Sequence, residues 1–167
     1  MTSKNFNILF VCSGNSCRSP IAEGLMKIKL PAEYRERVVV RSAGTLGLDG
    51  NPATHFAIQV ARDLGAEISQ HRSQGVSEEL VNEADLIFAM TPEHKSYLEK
   101  AFPEVRENVF LLKAFDRQHG EEFDEFIDDP IGGTFAVYQE CARIIDAELE
   151  RILPRLTRLI EEKVGEE

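Results

Sequence analysis

The stretch Cys12-Ser13-Gly14-Asn15-Ser16-Cys17-Arg18-Ser19 sets a thiol and a guanidinium six positions apart, with only small, turn-prone residues between them and one more thiol. Gly14 and Asn15 both tolerate positive φ, so the backbone N–H groups of Ser13, Gly14, Asn15, Ser16, Cys17 and Arg18 can converge on one point. Such a concavity binds an anion, and Arg18 adds a planar fork suited to two oxygens of a phosphate. Donors that hold an oxyanion also favour a thiolate, so Cys12, at the base of the cradle, reads as a nucleophile. Its attack at phosphorus would give a cysteinyl-phosphate that water then hydrolyses. The pattern is neither G-x-G-x-x-G nor G-x-x-x-x-G-K-[ST], because the lysine and second glycine are missing.

A loop of this kind needs a strand before it and a helix after it, so that the helix N-terminus adds its own free N–H groups. "NILFV" (Asn7 to Val11) is a short apolar run that suits a buried strand. "SPIAEGLMKIKL" reads as a helix capped by Ser19, with Pro20 in its first turn and Ile21, Leu25 and Ile28 on one face. Further strands are expected at Val38 to Thr45, Ala84 to Met90 and Asn108 to Phe115. Between them, "NPATHFAIQVARDLG", with Phe56, Val60 and Leu64 at helical spacing, and "TPEHKSYLEKAF" read as helices. A long helix from about Thr134 to Glu162 carries Val137, Cys141, Ile144, Ile145, Leu149, Ile152 and Leu156 as its apolar stripe. Continuous apolar strands alternating with helices point to an α/β fold with a parallel sheet covered on both faces. With no repeat or linker, residues 1–167 read as one domain. In such sheets ligands bind beyond the carboxyl ends of the strands, where the first loop lies.

"VCSGNSCRSPIAEG" at the amino-terminal side resembles the low-molecular-weight protein tyrosine phosphatase family, whose signature is C-x5-R-[S/T] after a strand. The resemblance covers about residues 6–162 and implies a three-layer flavodoxin-like fold with four parallel strands. It implies that Cys12 attacks and that Asp129, in "DDPIGG", is the general acid, with Asp128 alongside favouring its protonated form by like-charge repulsion. It also implies supporting roles for Ser19, donating to the Cys12 sulfur, for Ser42 in "RSAGT", and for His71, bracing the loop asparagine. Cys17 would be the thiol that traps an oxidised nucleophile as a disulfide.

Substrate choice is where the chain departs from the tyrosine-specific pattern. Ile131-Gly132-Gly133 stands where that branch carries aromatic residues, and Ser16 where it carries isoleucine. "DPIGGTFAVY" and "ADLIFAMTPEHK" are similar to the bacterial protein arginine phosphatases of the same superfamily, which carry threonine at the Ser16 position. The resemblance thus implies hydrolysis of protein phosphotyrosine, the broader family's activity, with phosphoarginine as the alternative. The acidic "EEFDEF" stretch and Asp128 could form a rim for a cationic leaving group, and Phe10, Phe88, Leu46 or Leu48 an apolar wall for a phenol. Thioredoxin-linked arsenate reductases share "GNSCRS" but need a further cysteine pair, which this chain lacks; a binding module without turnover would need neither Cys12 nor Asp129.

Composition narrows the remaining classes. Three cysteines and no C-x2-C or H-x3-H spacing suggest free thiols, no metal and no cofactor. Cys141 reads as core, and His55, His94 and His119 as surface or helix residues. A net charge of −10 argues against nucleic acid and anionic membranes as partners, leaving a phosphorylated protein or peptide and inorganic phosphate or another oxyanion. The apolar run Ile8 to Val11 is too short for a signal peptide, and no stretch reaches the roughly 20 apolar residues of a membrane span, so a cytoplasmic location is expected.

Overall fold

A computed structural model describes residues 4–165. Four parallel strands, β1 (Phe6–Cys12), β2 (Val38–Gly44), β3 (Leu86–Ala89) and β4 (Val109–Leu111), form one sheet in the order β2-β1-β3-β4. Around it lie α1 (Arg18–Lys29), α2 (His55–Asp63), α3 (Glu78–Glu83), α4 (Pro92–Ala101) and α5 (Phe135–Val164). This is the three-layer, all-parallel arrangement the sequence implies. Because β2 and β3 flank β1 on opposite sides, the chain leaves the end of β1 at the switch in strand order.

The period of two along each strand builds the two cores. Phe6, Ile8, Phe10 and Cys12 of β1 join Phe88 of β3 in a layer closed by α1, α2 and α5. Leu9, Val11, Ile87 and Ala89 face the other way, onto Val81 of α3 and Leu98 of α4. Phe10 and Phe88 stack with centroids 5.5 Å apart and are wholly buried, so neither forms the apolar wall the sequence offered for a phenol.

Several boundaries differ from the sequence expectation for identifiable reasons. The first helix begins at Arg18 with Cys17 at its N-cap position, so Ser19 lies inside it and caps nothing; its hydroxyl is turned to the loop. Ile28 and Leu64 are exposed, because α1 and α2 are clamped at their upstream turns by Ile21 and Leu25 and by Ala57, Val60 and Ala61. Val137 is likewise exposed, because the buried stripe of α5 runs from the next residue, Tyr138, through Cys141 and Ala142. The fourth strand stops at Leu111, where Ala114 and Phe115 N–H fold back onto its carbonyl. Helix α3, six residues long and capped by Ser77, escaped the sequence reading because it is too short to show a period.

After β4 the chain runs without regular structure to the N-cap Thr134 of α5. Arg151 of α5 donates to the carbonyls of Leu112 and Phe115, and Ile127 N–H donates to Met90 O at 3.0 Å, so this segment is tied across the carboxyl ends of the strands. Leu149, fully buried on α5, tests the larger core. Leu149→Ala should cost about 2–5 kcal/mol, read as a lower urea midpoint at unchanged slope.

Candidate active site

The loop from Cys12 to Arg18 is shaped from outside. Thr45 N–H donates to Cys12 O (2.9 Å), Leu46 N–H to Ser13 O (3.0 Å), Thr54 N–H to Ser16 O (3.0 Å) and Ile21 N–H to Cys17 O (3.2 Å). His71 Nε2 lies 2.7 Å from Asn15 O. In a trans peptide the next N–H points away from the carbonyl, so anchoring the oxygens outward turns the N–H groups of Ser13, Gly14, Ser16, Cys17 and Arg18 to the loop's inner side. Among the described residues, none of these N–H groups has a hydrogen-bond partner. The result is an anion-binding nest, continued by the first turn of α1.

Of the two loop residues that tolerate positive φ, Asn15 is the one that adopts it (φ 56°). The Asn15 side chain is wholly buried and fully partnered. Its Nδ2 donates to Ser19 Oγ (2.8 Å) and Ser42 Oγ (2.9 Å), while Oδ1 accepts from Gln74 N–H (2.9 Å). Ser42 Oγ passes its proton to Glu23 Oε1 at 2.9 Å. Ser19 Oγ lies 2.9 Å from Cys12 Sγ; a thiolate can only accept, so in that state the hydroxyl donates to sulfur. Ser19, Ser42 and His71 therefore all meet at Asn15.

A glycine beneath the loop passed unnoticed in the sequence. A Cβ on Gly44, at the end of β2, would come within 2.5 Å of Ser13 O and 3.0 Å of Asn15 N. Only glycine lets β2 run this close, and its place in "RSAGT" beside a strand end was the available signal.

Arg18 is buried at 4% exposure in a chain of net charge −10. Nη1 donates to Ile127 O (2.9 Å), Nη2 donates to Ser13 Oγ (3.3 Å), and Nη2 stands 3.5 Å from Asp129 Oδ2. Nε is the buried side-chain donor left without a partner among the described residues. Asp129 is 40% exposed, and its Oδ1 accepts from Ile131 N–H (3.1 Å). The charge that Asp129 meets is thus the Arg18 cation rather than Asp128, which is exposed. Gly132 (φ 77°) completes the turn after Pro130 and leaves Ile131 60% exposed beside the carboxyl. The structure brings Cys12, Arg18 and Asp129 to one place.

Cys17 is buried, with its sulfur 3.4 Å from Tyr138 Oη and 3.5 Å from Thr54 Oγ1, and all three cysteines are free thiols. Cys141 lies in the core, where burial pushes its pKa up to about 12. Ser16 is half-buried at the loop's edge.

His94, read as a surface or helix residue, lies in the first turn of α4 and is buried there. Its Nε2 lies 2.8 Å from Ser13 Oγ and its Nδ1 3.0 Å from Thr91 Oγ1. Burial, and then the Arg18 charge, push its pKa down to about 4 against a smaller opposing pull from Asp129, so the ring is neutral at pH 7. The signal for it was "MTPEH": a histidine in the first turn of a helix that starts at a strand's carboxyl end.

A family model described as low molecular weight phosphotyrosine protein phosphatase matches residues 7–164. A protein-arginine-phosphatase of Geobacillus stearothermophilus is 38% identical over 152 residues, covering 90% of this chain and 96% of that protein. The low molecular weight protein-tyrosine-phosphatase Etp of Escherichia coli K12 is 40% identical over 159 residues, covering 95% and 100%. The solved structure of YwlE arginine phosphatase from Geobacillus stearothermophilus matches with a TM-score of 0.82 at 35% identity, over 94% of this chain and 96% of that one.

Two outcomes follow from this geometry. Gly44→Ala should push the Ser13 and Asn15 backbone, lowering stability by about 1–3 kcal/mol and weakening inhibition by phosphate; unchanged values would mean the loop yields freely. For His94 the folded pKa of about 4 lies below the ordinary 6.5, so the unfolded chain takes up the proton first as pH falls. Its contribution is complete above pH 6.5 and is lost towards pH 4. The stability advantage of wild type over His94→Gln, measured by urea titration, should therefore shrink by at most about 3 kcal/mol across that window.

Proposed function

The chain belongs to the low molecular weight phosphotyrosine protein phosphatase family, and on that premise we propose that Cys12, Arg18 and Asp129 hydrolyse a phosphorylated protein side chain in two steps. The Cys12 thiolate attacks phosphorus while Asp129 gives its proton to the departing atom, leaving a cysteinyl-phosphate and the free side chain. The Asp129 carboxylate then takes a proton from water as the water oxygen attacks phosphorus, releasing inorganic phosphate and the thiolate. Ser19 Oγ–H stabilises that thiolate whenever it is the leaving group. No metal or cofactor enters these steps.

The observation that carries this reading is the buried Arg18 fork, its Nε without a partner, beside the inward N–H groups of Ser13, Gly14, Ser16, Cys17 and Arg18. A buried cation with unused donors is costly unless an anion takes them up. A tetrahedral oxyanion at the loop satisfies both the charge and the donors.

Two substrates fit, each on a particular observation. Phosphotyrosine is supported by exposed Leu46, Leu48 and Ile131, which can flank a phenol ring. Phosphoarginine is supported by polar Ser16 in the loop and by a cavity of about 200 Å³ bordered by Asp124, Asp128, Asp129 and Glu140, where Lys113 offsets only Asp124 and the lining stays net acidic, a surrounding suited to a cationic leaving group. The absence of an aromatic residue at 131–133 tips the balance towards the guanidinium. The enzyme is read as one catalytic domain acting in the cytoplasm, where its thiols stay reduced. No described helix is long and apolar enough to cross a membrane.

Cys12→Ser should abolish hydrolysis of p-nitrophenyl phosphate while retaining phosphate binding by calorimetry; residual full turnover would remove Cys12 as nucleophile. Asp129→Asn should lower kcat by roughly 100-fold or more, the usual span of general acid–base help. Ser16→Ile should shift the ratio of phosphoarginine-protein to phosphotyrosine-peptide kcat/KM towards phosphotyrosine. An unchanged ratio would take Ser16 out of substrate choice.

A further inference from the structure

We infer that His94 is a positioning residue for the phosphate site: it holds the Ser13 hydroxyl, and through it the Arg18 fork, in the register that receives an oxyanion. The inference rests on the reading of residues 12–18 as a phosphate-binding loop.

Hydrogen-bonding capacity lets Ser13 serve two neighbours at once. Arg18 Nη2 can only donate, so Ser13 Oγ accepts from it at 3.3 Å. The hydroxyl keeps one proton and one further lone pair, so it also pairs with His94 Nε2 at 2.8 Å in either ring tautomer. Nδ1 pairs with Thr91 Oγ1 at 3.0 Å in the complementary sense. Thr91 in turn caps α4, accepting from His94 N–H, and so joins the relay to the end of β3. The chain Arg18–Ser13–His94–Thr91 thus links a mobile side chain to a fixed helix start.

The alternative partner of Arg18 shows why such a link matters. Nη1 is held by Ile127 O, while Nη2 has two polar partners among the described residues, Ser13 Oγ and the Asp129 carboxylate at 3.5 Å. Without the Ser13 link Nη2 is left to Asp129, which would draw the fork off the loop. The charged groups facing the ring are Arg18 and Asp129, and a neutral ring leaves the Arg18 charge unopposed for phosphate.

The test uses the full chain, with p-nitrophenyl phosphate as substrate and inorganic phosphate as competitive inhibitor. His94→Phe keeps most of the ring volume but cannot hydrogen-bond to Ser13; His94→Gln places an amide near the position of Nε2. We expect His94→Phe to raise the phosphate inhibition constant and KM about tenfold, the size of one lost hydrogen bond to a charged relay. His94→Gln should recover to within about threefold of wild type. Ser13→Ala should weaken phosphate similarly, and the double variant Ser13→Ala/His94→Phe should be no worse than either single one. Additive losses in the double variant, or a phosphate inhibition constant unchanged in His94→Phe despite a lower Tm, would overturn the inference. Should His94→Phe fail to fold, His94→Gln and Ser13→Ala carry the comparison: a phosphate constant in Ser13→Ala equal to wild type would also overturn it. A wild type that neither binds phosphate nor turns over substrate would instead sink the phosphatase reading itself.

Discussion

The buried amide of Asn15 is the constraint on which the site depends. Its side chain satisfies three partners, two serine hydroxyls and a backbone N–H, and the backbone carbonyl of the same residue meets a fourth, His71. Those partners come from α1, β2 and the segment that follows α2, so the loop cannot form until three separate pieces of chain have met. Such a fully satisfied buried network rigidifies, because breaking any member strands another polar group away from water. It also pins the left-handed turn at Asn15 (φ 56°), a conformation that asparagine tolerates better than most residues. The strain is local and small; the orientation of the neighbouring peptides follows from it.

From that point the electrostatics follow. A chain of net charge −10 would repel phosphate at long range, yet the loop collects its positive potential within a few ångströms. Screening at physiological salt limits surface charges to about 8 Å, whereas partly buried donors act with little screening. Local field therefore outweighs global charge at the phosphate. The acidic surface still has a consequence, because it governs what the rest of the substrate can be. Asp124 and Glu121 are partly neutralised by Lys113 and Arg117, whereas Asp128 is exposed beside the cavity near Asp129.

Sequence and structure agree best where one residue type has one physical job. The apolar period of β1 and β3, the capping of α4 by Thr91 and the place of the loop at the sheet's switch point all follow from local pattern. Cys12, Arg18 and Asp129, singled out by type and spacing together with the family resemblance, are brought to one place by the fold. What the linear chain hid depends on tertiary approach. Gly44 looks like any turn glycine until β2 is laid against Ser13, and His94 looks like an exposed helix residue until its ring is found behind the loop. Ser19 was ambiguous for a different reason: both a cap and a network role suit a serine there, and the helix start one residue earlier decides between them.

The site is divided between two mechanical regimes, and the chemistry requires both. The proposed nucleophile and its cradle sit on the tightly packed β1–α1 junction, where Cys12, Asn15, Arg18 and Ser19 are all buried. A nest of N–H groups stabilises a transition state only if it is already in place, since reorganising it during reaction would cost what it gains. The proposed acid has the opposite need. In that role Asp129 must exchange a proton with the leaving group, then with water, and its 40% exposure on an irregular segment held at Ile127 suits that role. Arg18 is the joint between the regimes: it grips the Ile127 carbonyl with one nitrogen while facing both Ser13 and Asp129 with the other. An oxyanion arriving at the loop competes with Asp129 for that second nitrogen. Phosphate binding would thereby draw Arg18 towards the loop and away from the carboxylate, leaving Asp129 to face the departing group in the proposed reaction.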